Sequence, residues 1–190
     1  MPDPQAAPSS GIWPRVAHRI RVPLGFAFAV FYLWRAKPTW MFVIVGTLVA
    51  LLGIGVRALA SGQVRKNQEL TTTGPYAYVR NPLYFGSIVT AIGFAVAACD
   101  VWVVVAIFIM FVLIYVPVIL GEEEFLRSRF PAYDSYARHV PRLLPHTLRF
   151  SRLTAGFSRE LYWQHREYNA LLGAAGILVA LIVKILYFPR

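Results

Sequence analysis

An all-α, polytopic membrane bundle of about five transmembrane helices, with a helical hairpin and a cytoplasmic helical lid, is the fold this sequence predicts. Three observations lead there. Of 190 residues, 57% are hydrophobic and only 15% charged, whereas soluble domains carry about a quarter charged residues. The apolar residues gather in runs close to the roughly 20 residues a helix needs to cross a bilayer. With the N-terminus placed inside, only Arg35, Lys37, Lys184 and Arg190 of the nineteen Lys and Arg fall on the outer side, the bias expected of cytoplasmic loops.

The elements follow in order. Residues 1–11 are polar and rich in Pro, Ala and Ser, without the basic start, apolar run and cleavage pattern of a signal peptide. The first apolar segment, 22–34, is short for a span and follows Arg15, Arg19 and Arg21, so it reads as a tilted or partly interfacial helix. The second covers 40–60, the third 82–98, the fourth 101–120 and the fifth 168–188. Only Cys99 and Asp100 separate the third from the fourth, which makes an antiparallel hairpin. Pro117 removes a backbone donor and is expected to kink the fourth helix. Gly46, Gly53 and Gly55 in the second segment, with Gly86 and Gly93 in the third, permit close helix approach. Residues 122–130 continue the fourth helix. Pro131 suits a first helical position, and Tyr133, Tyr136, Ala137 and Val140 then line one helical face, ended by Pro141 and Pro145. Residues 157–168 mix aromatic and charged side chains and read as an interfacial helix.

The chain reads as a single membrane-embedded domain, 1–190, with no separate soluble part. The net charge of +10 suggests anionic headgroups rather than nucleic acid, because no nucleic-acid-binding signature is present. Cys99 is the sole cysteine, so no intrachain disulfide forms. His18, His139, His146 and His165 lack metal-ligand spacing, and no metal site is read.

Two polar clusters carry the chemistry. The first is Gly74-Pro75-Tyr76-Ala77-Tyr78-Val79-Arg80-Asn81-Pro82-Leu83-Tyr84. Residues 71–75 are turn material whose amides can approach a ligand closely. Asn81 is placed to cap the third span, with Pro82 in its first turn. Arg80 can grip a carboxylate with two hydrogen bonds. The second is Glu122-Glu123-Glu124-Phe125-Leu126. At about 100° per residue its carboxylates point in different directions, so one can face the bundle while another faces water. Each residue alone has an ordinary structural role: helix cap, interfacial tyrosine, lipid-facing arginine, solvated helix end. The complete strings point to a site.

The first string resembles the Gly-x-Tyr…Arg-His-Pro-x-Tyr motif of the isoprenylcysteine carboxyl methyltransferase family, which also includes phospholipid methyltransferases. The second, with Tyr133, Tyr136, Pro141 and Pro145, resembles that family's Glu-Glu-x-x-Leu…Tyr-x-x-Tyr…Pro pattern. The resemblance covers roughly residues 40–145 and leaves the last apolar segment as an addition. It implies that S-adenosylmethionine is contacted by Gln68, Glu69, Leu70, Thr71, Tyr76, Asn81, Pro82, Leu83 and Tyr84. It implies further that Glu122 holds the amino-acid or ribose part, with Glu123 the second candidate, and that 133–145 closes over the cofactor. Asn81 stands where the family's motif has His, which removes any role needing an imidazolium. Some relatives carry an Arg just before the Glu pair for the substrate carboxylate. Residues 116–120 offer none, so Arg142 is the substitute, beside Arg80 and Glu123. The implied partners are a lipophilic or lipidated acceptor and membrane lipids. The last segment is a packing helix, or else part of a dimer or substrate gate. Membrane sterol reductases, which bind NADPH, share a similar Arg-His-Pro-x-Tyr string. A non-enzymatic lipid-binding protein is the third reading.

Overall fold

The computed structural model describes residues 12–65, 68–145, 153–154 and 156–188, with side chains from residue 23 onward. The polar stretch 1–11, Lys66, His146, Arg149, Arg152 and Arg190 lie outside the described residues, as do the side chains of Arg15, His18, Arg19 and Arg21. The described residues are all-helical: α1 Ile12–Arg35, α2 Trp40–Ser61, α3 Pro82–Ala98, α4 Val101–Arg129, α5 Tyr133–His139, α6 Arg159–Gln164 and α7 Tyr168–Tyr187. A short 3-10 turn, Gly74–Ala77, precedes α3. Helices α2, α4 and α7 are long and apolar enough to cross a membrane, while α3 is apolar but only 17 residues long. Leu48, Leu52, Phe108, Leu172 and Val179 stand exposed along the outer faces, as a chain dissolved in lipid requires.

Several boundaries differ from expectation for identifiable reasons. Helix α1 begins ten residues before the apolar segment, at Ile12, because Arg residues are good helix formers and extend it. The fourth segment and the glutamate cluster do form one continuous helix, as expected, of 29 residues. Pro117 disturbs it upstream as a π-helical turn, Phe111–Tyr115, where the missing N–H and the proline ring displace the i→i−4 ladder. Pro131 lies in a turn rather than at a first helical position, and α5 starts at Tyr133. The cause is Phe130, which is extended (φ −121°, ψ 109°), as residues before proline tend to be. Of the expected helix over 157–168, only Arg159–Gln164 forms, capped by Ser158 accepting from the Leu161 N–H at 3.3 Å. Arg166 then takes a positive φ of 52°, which no α-helix tolerates.

The bundle is built on the antiparallel α2–α3 pair. A Cβ on Gly46 would strike the Gly93 carbonyl, and one on Gly53 would strike the Gly86 carbonyl. The two glycine pairs therefore set backbone against backbone along the contact. At one end, Tyr32, Ala36, Val43, Ala97, Ala98, Val103 and Leu181 form the apolar core, and the Tyr32 hydroxyl donates to the Phe94 carbonyl at 2.9 Å. There Asp100 caps the Trp102 N–H at 3.0 Å and pairs with Arg35 at 2.8 Å and Lys37 at 3.6 Å. Lys184 of α7 donates to the Leu33 and Trp34 carbonyls. Both polar clusters lie at the opposite end, at the start of α3 and the end of α4.

Candidate active site

Gly74 opens the first cluster with φ +58°, and a Cβ there would collide with the Gln63 amide. A residue without a side chain is thus required for both conformation and space. Gln63 in turn donates to the Leu153 carbonyl at 2.6 Å. The chain then turns through Gly74–Ala77 and delivers Arg80 and Asn81 to the start of α3. Asn81 occupies the N-cap position with Pro82 following, but its side chain makes no capping hydrogen bond. This corrects the expected cap. The Asn81 amide instead donates to Glu123 Oε1 at 3.1 Å and to the Arg142 carbonyl at 3.4 Å. A buried carboxylate is a strong acceptor and fixes the amide through its NH2 group, while the amide oxygen accepts from no N–H of the first turn.

Glu123 is the centre of the arrangement. Of the three adjacent glutamates it alone is buried, while Glu122 and Glu124 are exposed, as the helical rotation demands. Arg142 grips both its oxygens, Nε at 3.1 and 3.0 Å and the terminal nitrogen at 2.8 Å. Arg80 approaches Oε1 to 3.6 Å and donates to the Tyr133 hydroxyl at 3.3 Å. Glu122 points elsewhere and accepts from the Tyr84 hydroxyl at 2.9 Å. Tyr84 also meets Tyr115 edge-on, with ring centroids 5.9 Å apart.

The segment after α5 folds back over the first cluster. The Arg80 N–H donates to the Pro141 carbonyl at 2.8 Å and the Asn81 N–H to the Arg142 carbonyl at 3.2 Å. Tyr136 donates to the Tyr76 carbonyl at 2.7 Å, and Tyr133 is buried against the Arg80 side. Burial pushes the phenols of Tyr76, Tyr133 and Tyr136 above their ordinary value. They are hydrogen-bonding groups at neutral pH, not bases. The Arg142 guanidinium is held firmly cationic, first by its hydrogen bonds to Glu123.

Arg80, Asn81, Glu123 and Arg142 are therefore brought together. Tyr76 and Pro82 are buried beside them, and Tyr84 and Glu122 form an adjoining pair. Leu83 is half-buried, and its carbonyl accepts from Ser87. Gln68 and Glu69 are exposed, and Glu69 pairs with Arg65 at 3.7 Å. Leu70 and Thr71 are half-buried, and Thr71 Oγ1 is shielded from solvent without a hydrogen-bond partner among the described residues.

One cluster escaped sequence reasoning. Arg57, near the end of α2, binds Glu167 through three contacts of 2.8–3.1 Å and donates to the Ser87 hydroxyl at 2.5 Å. It ties α7 to the α2–α3 pair. Its signal was available: Arg57 is the one charge within an apolar helix, where ionisable residues are costly and seek partners. Among the described residues, no three His, Cys, Asp or Glu side chains group as a metal set.

Parts of the chain are similar to known proteins. Residues 40–132 match the family model of the phospholipid methyltransferases. The chain is 32% identical over 143 residues to the cobalt-zinc-cadmium resistance protein CzcN of Cupriavidus metallidurans, covering 71% of this chain and 62% of that protein. It is 37% identical over 81 residues to the nickel-cobalt-cadmium resistance protein NccN of Alcaligenes xylosoxydans xylosoxydans, covering 43% of this chain and 38% of that one. The chain thus spans less than two thirds of the length of either relative. No solved structure matches it. Residues 40–132 are thus similar to the phospholipid methyltransferase family.

Proposed function

We propose that this chain is an integral-membrane methyltransferase, moving the methyl group of S-adenosylmethionine to a lipophilic acceptor. The acceptor most like the family resemblance is the carboxylate of a prenylated cysteine or a related isoprenoid acid. The observation that carries the reading is the convergence of the two polar clusters. Asn81 of the first and Arg142 of the returning segment meet on Glu123 of the second.

The residues at this end fit the cofactor. Glu122 offers a carboxylate to an ammonium group, and Arg80 and Arg142 offer guanidiniums to an acid. Tyr76, Tyr84 and Tyr115 offer aromatic faces to a base. Thr71 Oγ1 and Arg80 Nε are buried without hydrogen-bond partners among the described residues, and such atoms usually find one. S-adenosylmethionine supplies a methyl group made electrophilic by its sulfonium. The chain supplies alignment and exclusion of water. The returning segment at 140–145 covers the site, and Glu123 fixes the Arg142 side chain that would orient an acid. A carboxylate or thiolate acceptor needs no proton removed, which suits a site where burial keeps the Tyr76 phenol protonated.

In this reading α1 and α3 complete five crossings, and the end bearing both clusters faces the cytoplasm by its surplus of Arg. The relatives' names make cobalt, zinc, cadmium and nickel exposure the condition under which to seek the physiological acceptor.

Calorimetry and thermal denaturation of the detergent-purified chain with S-adenosylhomocysteine, S-adenosylmethionine and NADPH test the proposal. The first two should bind and stabilise, by about 2.7 kcal/mol at a hundredfold excess over Kd. A shift with NADPH alone would favour a reductase. No shift with any of the three would leave a lipid-binding protein.

A further inference from the structure

Beside the Glu123 network lies a cleft of about 470 Å³ lined by Arg80, Arg127, Asp134, Ala137, Arg138 and Arg142. Its guanidiniums come from separate places: the loop before α3, the end of α4, α5, and the segment after α5. Glu123 lies beneath and is shared by Arg80 and Arg142. Asp134 takes up Arg127 at 2.8 Å. Four guanidiniums thus face two carboxylates, leaving a surplus of two positive charges. Among the described residues Arg138 has no ion-pair partner, and the buried Arg80 Nε has no acceptor.

We propose that this cleft binds a phosphate group, and that its source is the headgroup of an anionic phospholipid. The site centres on Arg127 and Arg138, which the methyl-transfer reading does not use, with Arg80 and Arg142 as its floor. Guanidinium forks match phosphate oxygens in pairs, and a surplus of two charges suits a phosphomonoester, which carries between one and two negative charges near pH 7. Depth selects the lipid as source. Arg127 lies 26 residues along α4 from Val101, about 39 Å at 1.5 Å per residue. A bilayer measures about 30 Å across its hydrocarbon and 40–45 Å with its headgroups. With Asp100, Arg35 and Lys37 at the opposite surface, the cleft falls within the headgroup layer.

The test is native mass spectrometry of the detergent-purified full chain with phosphatidic acid, phosphatidylcholine or inorganic phosphate. Its readout is ligand retention, so it stands or falls apart from methyl transfer. Phosphatidic acid should be retained about tenfold over phosphatidylcholine, and Arg138→Glu should reduce that retention about tenfold. Arg129→Glu is the control. It makes the same charge change in the last turn of α4, on an exposed residue outside the cleft, and should change retention less than about twofold. Both variants alter exposed side chains and should keep the parent melting temperature. Inorganic phosphate bound in an Arg138-dependent way, without preference for phosphatidic acid, would support the phosphate site and reassign its source to the free ion. Equal effects of the two variants, or no retention of any phosphate by the parent protein, would overturn the proposal.

Discussion

Replacing Glu123 with Gln tests whether the two clusters are held together by one carboxylate. The change keeps the shape but removes the charge that Arg142 grips at 2.8–3.1 Å and Arg80 faces at 3.6 Å. Removing one partner of a buried ion pair costs about 3–5 kcal/mol. The Arg142 side chain is 48% exposed, so water screens its share of that loss. Arg80, only 13% exposed, is the cation left without compensation. An expected loss of about 2–3 kcal/mol follows, since one charged hydrogen-bonding partner contributes about 1.5–3 kcal/mol. At roughly 2–4 °C per kcal/mol for a chain of this size, Tm should fall by about 4–12 °C. Glu122→Gln, on an exposed residue whose amide oxygen can still accept from Tyr84, should shift Tm by no more than about 2 °C. Thermal denaturation in one detergent, followed by circular dichroism, measures both. Equal Tm values for the two variants would show that the Glu123 network does not hold the bundle end together.

Three further outcomes are expected. Glu122→Gln should weaken S-adenosylhomocysteine binding about tenfold or more, the equivalent of one charged hydrogen bond, whereas Glu124→Gln should not; calorimetry with equal dissociation constants would remove Glu122 from the site. Gly46→Val should cost at least about 1–3 kcal/mol, because its side chain meets the Gly93 backbone rather than a movable side chain. Gly55→Val, where a Cβ meets nothing within 4 Å, should leave Tm nearly unchanged, and matching Tm values would refute the glycine contact. The third concerns pH. Burial opposes the charge on Asp100, but its hydrogen bonds to Arg35 and to the Trp102 N–H prevail and hold its carboxyl below the ordinary value. Its contribution is therefore complete above the unfolded value of about 3.9 and is lost as pH falls through the lower folded value. Melting curves from pH 7 to pH 3 should show an acid loss that Asp100→Asn diminishes; identical acid limbs would disprove it.

Much of the fold was legible because its signals are local. The third segment was read to the residue, since Asn81-Pro82 starts it and Cys99-Asp100 ends it. The glycines at 46, 53, 86 and 93 also announced the helix pair they make, whereas Gly55, read with them, faces open space on the far side of α2 from that contact. The ends of α5 and α6 were harder to place, because Phe130 and Arg166 break the helix by backbone conformation rather than by composition. Arg80, Asn81, Glu123 and Arg142 were each named from the sequence and the fold brings them together, but their pairing was not legible, and Gln68 and Glu69 stand exposed outside that network. Asn81 looked like a cap, and only the arrival of Glu123 on a helix 42 residues away drew its amide elsewhere.

The sequence by itself determined that this chain is helical, suited to a membrane, and polar at two places along its length. Runs of apolar residues and short motifs depend only on neighbours in the chain, so they can be read directly. The tertiary structure decided which of three adjacent glutamates turned inward, that Arg142 would meet Glu123, and that Arg57 would reach Glu167 across 110 residues. Those choices belong to the packed bundle. A buried charge takes whichever partner the fold brings within hydrogen-bond distance, and that distance is set by how the helices lie against one another rather than by spacing in the sequence.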